Sequence, residues 1–136
     1  GRGTQFPFTI VGAPALKGKY SFSFTPVSLK GMSESPLFMN QVCYGIDLRN
    51  YDTNIFRKTK QINLAWIIEL YKNSPNKADF FNSSLSKQMG TIEKLIGVGD
   101  FRKQIIAGVS EKEIRASWEP GLSKYKTMRK KYLLYP

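Results

Sequence analysis

The sequence predicts an α+β domain, with a small mixed sheet from the N-terminal third covered by several helices from the C-terminal two thirds. Three observations carry this expectation. Residues 6–49 hold apolar stretches with the two-residue alternation of half-buried strands, and residues 62–135 carry apolar residues at three- and four-residue spacing instead. The two kinds of segment also follow one another without the strict alternation that builds a parallel α/β sheet.

The first strand is expected from Phe6 to Val11, where apolar and polar residues alternate into a Gly12-Ala13-Pro14 stop. The second runs from Tyr20 to Thr25, alternating aromatic residues with serine. A third is placed from Gln41 to Arg49. Between the second and third, Pro26 to Pro36 contains two prolines, a glycine and three serines, the composition of an exposed excursion of the kind that carries recognition. Cys43, flanked by Val42 and Tyr44, reads as a small buried hydrophobe rather than a reactive thiol.

Helices follow from about Ile62. Ile62, Ala65, Trp66, Ile68 and Leu70 form a broad apolar face that Asn73-Ser74-Pro75 ends. A short helix is expected near Thr91 to Leu95, and another opens at Asp100, runs through Phe101, Ile105 and Ile106, and stops at Gly108. Ser110-Glu111-Lys112-Glu113 has the spacing of a capping box, with Ile114 and Trp118 one turn apart. Pro120-Gly121 is expected to break or kink the chain before a last amphipathic helix. In that helix Leu122, Tyr125, Met128 and Tyr132 form the apolar stripe, and Lys124, Lys126, Arg129, Lys130 and Lys131 a solvated basic face.

The 136 residues are expected to form a single domain. The longest apolar run, Leu64-Ala65-Trp66-Ile67-Ile68, is far shorter than the roughly 20 residues of a membrane-spanning helix. With one cysteine and no histidine, the chain cannot assemble a Ser-His-Asp or Cys-His centre, nor a zinc site of the usual Cys/His type. Gly12 to Lys19 lacks the glycine spacing of a phosphate loop, and Gly97 and Gly99 have no third glycine at dinucleotide-binding spacing. No cofactor and no metal is implied. Asn82-Ser83-Ser84 matches a glycosylation acceptor pattern, a short motif that is set aside here. The net charge of +11 predicts attraction to a polyanion: nucleic acid, anionic lipid or a cell-wall polymer.

A series of short motifs resembles one family over nearly the whole chain. These are Gly1-Arg2-Gly3-Thr4 with Pro7-Phe8, Gly12-Ala13-Pro14, Phe24-Thr25-Pro26, and Cys43-Tyr44-Gly45 with Asp47. Gly108 before the capped helix, Trp118, Arg129 and Tyr132-Leu133-Leu134-Tyr135 complete the set. In order and spacing they resemble the C-terminal domain of the NamZ-type exo-β-N-acetylmuramidases, bacterial peptidoglycan glycosidases. The resemblance implies a two-domain enzyme in which an N-terminal Rossmann-like domain carries the main catalytic groups and this domain closes a cleft against it. It implies removal of terminal N-acetylmuramic acid from the non-reducing end of cell-wall fragments, in the periplasm or outside the cell. It also implies a glutamate immediately before the Gly-Arg-Gly-Thr stretch.

On this reading the chain is one part of a longer protein and is inactive alone. Glycoside hydrolysis uses two carboxyl groups across the scissile bond, and these are expected in the other domain and just before Gly1. Among the acidic residues here, Glu93, Glu111, Glu113 and Glu119 are expected to face solvent or cap helices, while Asp47 and Asp52 flank a strand end. Arg2, Gly3, Thr4, Tyr44 and Asp47 are the candidates for substrate binding or the domain interface. Arg2 is suited to the lactyl carboxylate that distinguishes muramic acid from N-acetylglucosamine, because a guanidinium reads a carboxylate in bidentate fashion; the alternative is a salt bridge to the other domain. Residues 1–4 are expected to be exposed and mobile. Two alternatives stay open. One is a cell-wall binding module using Tyr20, Phe22, Phe24 and Tyr44 as a sugar platform. The other is a basic nucleic-acid-binding domain, although no nucleic-acid partner is expected.

Overall fold

A computed structural model describes residues 1–81 and 91–135. They fall into two compact units, Gly1–Phe80 and Phe81–Pro136. The Asn82-Ser83-Ser84 pattern lies outside the described residues.

The first unit holds β1 (Ile10–Ala13), a 3-10 turn (Pro14–Leu16), β2 (Phe22–Phe24), β3 (Cys43–Asp47), α1 (Asn54–Thr59) and α2 (Ala65–Asn73). The α+β class is as expected. The sheet, expected as mixed, is antiparallel in both pairings, in the order β1-β3-β2. The long excursion after β2 lets β3 enter between the other two strands, so the parallel-running β1 and β2 never meet.

The first strand begins four residues later than its alternation suggests. Thr9 turns back on Phe6, its amide and its hydroxyl both donating to the Phe6 carbonyl, so residues 6–8 form a turn. Gly12 and Ala13, expected as a stop, belong to the strand, which Pro14 ends. Gly12 lies opposite Gly45, and a Cβ at Gly12 would collide with the Tyr44 carbonyl oxygen, with the Phe24 ring edge at 3.1 Å. Ile10, Leu16 and Cys43 are buried here.

The helix expected from Ile62 starts at Ala65 because Asn63 Oδ1 accepts the Ala65 amide at 2.8 Å and ends the preceding turn locally. Ile62 is exposed, while Leu64, Leu70 and Tyr71 are buried. The helix stops at Ser74, extended ahead of Pro75. Asn73 donates to the Tyr20 hydroxyl at 3.0 Å, tying the end of α2 to the approach to β2. The short α1 had no clear sequence signal; Phe56 joins Tyr51 and Trp66 in an aromatic cluster with centroids 4.9–5.9 Å apart.

The second unit holds α3 (Thr91–Ile96), α4 (Phe101–Ile106), α5 (Glu111–Arg129) and a closing 3-10 turn, Lys130–Tyr132. Gly108, at φ 75°, stops α4 in a Schellman motif: its amide donates to Ile105 and the Val109 amide to Gln104. The capping box at Ser110 and Glu113 is formed on both sides. Phe101, Ile105 and Ile114 are buried.

Pro120-Gly121, expected to break or kink the chain, does not break it: α5 runs through both residues. Proline removes one amide donor from the helix, but this stretch is exposed, so water can satisfy the carbonyl left over one turn earlier. The basic face of α5 is exposed as expected. The apolar stripe of Leu122, Tyr125, Met128 and Tyr132 is exposed as well.

Candidate functional site

The Gly-Arg-Gly-Thr stretch folds into a hydrogen-bonded loop at one end of the sheet. The Gly1 nitrogen donates to the Ile10 carbonyl at 2.9 Å. The Thr4 amide and hydroxyl both donate to the Gly1 carbonyl, at 3.2 and 2.7 Å, and the hydroxyl accepts the Phe6 amide. Gly3 sits at φ 77°, where a Cβ would stand 2.6 Å from Pro36 Cγ and 2.9 Å from the Val27 carbonyl oxygen. Only glycine meets both demands. The Val27 amide donates back to the Gly3 carbonyl at 2.8 Å.

This corrects the expectation that the opening residues are all exposed. Gly3 is buried, Gly1 and Thr4 are half-buried, and Arg2 alone of the four is exposed. The fold thus spends its glycines on pinning the loop to the Pro26–Pro36 excursion, whose two end prolines are buried beneath its exposed middle. Arg2 forms no ion pair with any described residue.

Backbone strain gathers in the same place. Four described non-glycine residues have left-handed φ, and three of them are Phe8, Phe38 and Asn40, at 68°, 61° and 61°. Each such residue costs about 1–3 kcal/mol and tends to persist where function requires it. Asn40 is tied in through its amide, which donates to the Pro26 carbonyl. Phe8 is 97% exposed.

Asp47 closes the same end of the sheet, paired in register with Ile10. Arg49 grips its carboxylate through Nε and Nη2, with Nη2 at 2.7 Å from Oδ2, and the Arg49 amide donates to Oδ1. These bonds hold the Asp47 carboxyl below the usual range. The Arg49 guanidinium also lies 4.4 Å from the centroid of the Phe6 ring. Sequence reading missed Arg49, which lies in the turn after β3, where the Tyr51 amide donates to the Leu48 carbonyl and the Asp47 carboxylate accepts the amide two residues on. Tyr44 is not part of this group. It pairs with Ala13 and Ser23 at the opposite end of β3.

The family model described as the C-terminal domain of exo-β-N-acetylmuramidase NamZ matches residues 1–135. The chain belongs to the NamZ C-terminal domain family. It is 31% identical to the peptidoglycan β-N-acetylmuramidase NamZ of Bacillus subtilis, over 99% of this chain and 33% of that protein. The crystal structure of a DUF1343 family protein from Bacteroides fragilis superposes with a TM-score of 0.77 at 35% identity, again over 99% of this chain and 35% of that one. The chain therefore spans about a third of the length of these relatives.

Within this NamZ C-terminal domain the carboxylates are largely committed to structural partners. Glu93 pairs with Arg102, Asp100 with Lys103 and Glu111 with Arg115, while Glu113 serves the capping box. Asp52 accepts the Asn54 amide at the start of α1. No metal-binding cluster of acidic or cysteine side chains occurs among the described residues, and none of the described helices is long and apolar enough to cross a membrane. Cys43 is buried, and burial pushes its thiol up. Phe22 and Phe24 are half-buried and lie against one another, and Tyr20 is engaged by Asn73.

Proposed function

We propose that this chain is the C-terminal, substrate-reading part of a peptidoglycan exo-β-N-acetylmuramidase that removes terminal N-acetylmuramic acid from the non-reducing end of cell-wall fragments. The observation that carries the reading is the family match over residues 1–135, which includes the pinned Gly-Arg-Gly-Thr loop. That loop gives Arg2 what a carboxylate reader needs: a fixed backbone, an exposed guanidinium and no described acidic partner. Its ligand is the lactyl carboxylate of muramic acid.

The carboxylate pair that cleaves the bond belongs elsewhere in the parent protein. Glycosidases hold two carboxyl groups about 5–10 Å apart across the bond, and the acidic groups at the loop end of the sheet offer no such pair, since Asp47 is occupied by Arg49. Gly3 and Thr4 position Arg2, and Asp47 positions Arg49 beside the loop. The parent's other domain is the partner of this face, and a periplasmic or exported location follows from a substrate that lies outside the cytoplasm.

The test compares the full-length protein with residues 1–136 on purified muropeptides, with released N-acetylmuramic acid measured by mass spectrometry. Release by the full-length protein alone is the expected result. Release by residues 1–136, or none by the full-length protein, overturns the proposal.

A further inference from the structure

Phe8 combines three properties that are rarely found together. Its ring is 97% exposed, its backbone is held at φ 68°, and the segment around it is fixed by hydrogen bonds on both sides. Before it, the Phe6 amide is held by the Thr4 hydroxyl, and the Phe6–Pro7 backbone packs directly on Gly1. After it, Thr9 is bonded to the Phe6 carbonyl, and the Leu48 amide donates to the Thr9 carbonyl at 2.8 Å. A bulky apolar residue in left-handed backbone gains nothing locally, because the ring buries almost no surface in this unit. Asparagine or glycine would suit the turn better.

The neighbouring ring shows the contrast. Phe6 is partly covered by the Arg49 guanidinium, whereas Phe8 makes no ring contact and no cation contact with any described residue. An exposed aromatic side chain carried on a hydrogen-bonded backbone beside Arg2 has the form of a stacking surface. A pyranose has an apolar face of axial C–H groups that lies against an aromatic ring, while its substituents at the rim take charged and hydrogen-bonding partners.

We propose that Phe8 is a specificity-determining contact that stacks on the pyranose ring of an N-acetylated sugar whose carboxylate Arg2 reads. This rests on the muramidase reading given above. The turn holds the backbone that carries the ring before the sugar arrives, so that binding orders the Phe8 side chain alone and not the loop.

The experiment uses the full-length protein as wild type, Phe8→Ala, Phe8→Leu and Phe8→Trp, with a 4-methylumbelliferyl N-acetylmuraminide as substrate. Leucine keeps apolar bulk and loses the aromatic face, and tryptophan keeps the face. Stacking predicts that KM rises about tenfold in the alanine and leucine variants, with kcat within about twofold, and that tryptophan stays near wild type. An alanine variant with unchanged KM overturns the proposal. So does a leucine variant that behaves as wild type while alanine alone loses activity and melting temperature, because that pattern marks packing against another protein surface. Equilibrium binding of N-acetylmuramic acid to wild type and Phe8→Leu separates this inference from the reaction. Weaker binding by Phe8→Leu supports the stacking contact even where no bond is cleaved, and equal binding, or none by wild type, overturns it.

Discussion

Gly3 and Pro36 are in such close contact that a single methyl group at residue 3 would stand 2.6 Å from the proline ring. This contact joins the opening loop to the excursion between β2 and β3, and the bond from the Val27 amide to the Gly3 carbonyl runs beside it. Two segments far apart in sequence thereby form one surface, with Arg2 at its exposed edge.

Gly3→Ala adds both a clash and a left-handed backbone penalty. We expect it to destabilise the chain by about 2–3 kcal/mol, read as a lower urea midpoint with an unchanged slope. Gly18, also at φ 77° but with open space around it, provides the control: Gly18→Ala carries the backbone penalty alone and is expected to lose less.

Arg49→Gln releases the Asp47 carboxylate. The carboxyl pKa, held low by the guanidinium and the Arg49 amide, is expected to move up toward the ordinary aspartate range, as followed by the side-chain carboxyl carbon shift during a pH titration. The sign follows from linkage. A carboxyl with a lowered folded pKa adds stability above its unfolded pKa and loses it as pH falls through the folded value, so wild type and variant should converge in stability at strongly acid pH.

Phe8→Asn relieves left-handed strain and removes a ring that is almost wholly exposed. The variant is expected to be more stable than wild type by about 1 kcal/mol, measured by chemical unfolding. A gain in stability together with weaker sugar binding is the pattern expected where strain serves a site.

Ser110→Ala removes the acceptor for the Glu113 amide at the start of α5. A loss of about 1 kcal/mol is expected, with amide hydrogen exchange faster in the first turn of α5 than at its centre. Ser110 also holds the Glu113 carboxyl below its usual range, so this cap weakens as pH falls through that lowered value.

Much of the fold could be read locally, because its signals are local. The capping box at Ser110, the stop at Gly108 and the third strand around Cys43 depend on neighbours within a few residues. The misplaced elements depended on tertiary partners instead. Phe6–Val11 alternates like a strand, yet Thr9 closes a turn on Phe6 and pairing extends to Gly12 and Ala13, which needed Gly45 and Tyr44 of β3 opposite them. Pro120 reads as a break, but exposure makes its missing bond tolerable. At the site, neither the burial of Gly3 nor the grip of Arg49 on Asp47 was legible. Gly3 is buried by a proline more than thirty positions away, and Arg49 is defined by what it grips.

The central claim is that Arg2 reads the carboxylate of muramic acid from a loop pinned at Gly3. The most direct measurement is the ratio of kcat/KM for matched aryl N-acetylmuraminide and N-acetylglucosaminide substrates in the full-length protein and its Arg2→Ala variant. We predict that the preference for the muraminide falls at least about tenfold in the variant, the size of a lost charge-assisted contact of roughly 1.5–3 kcal/mol. An unchanged ratio would contradict the account.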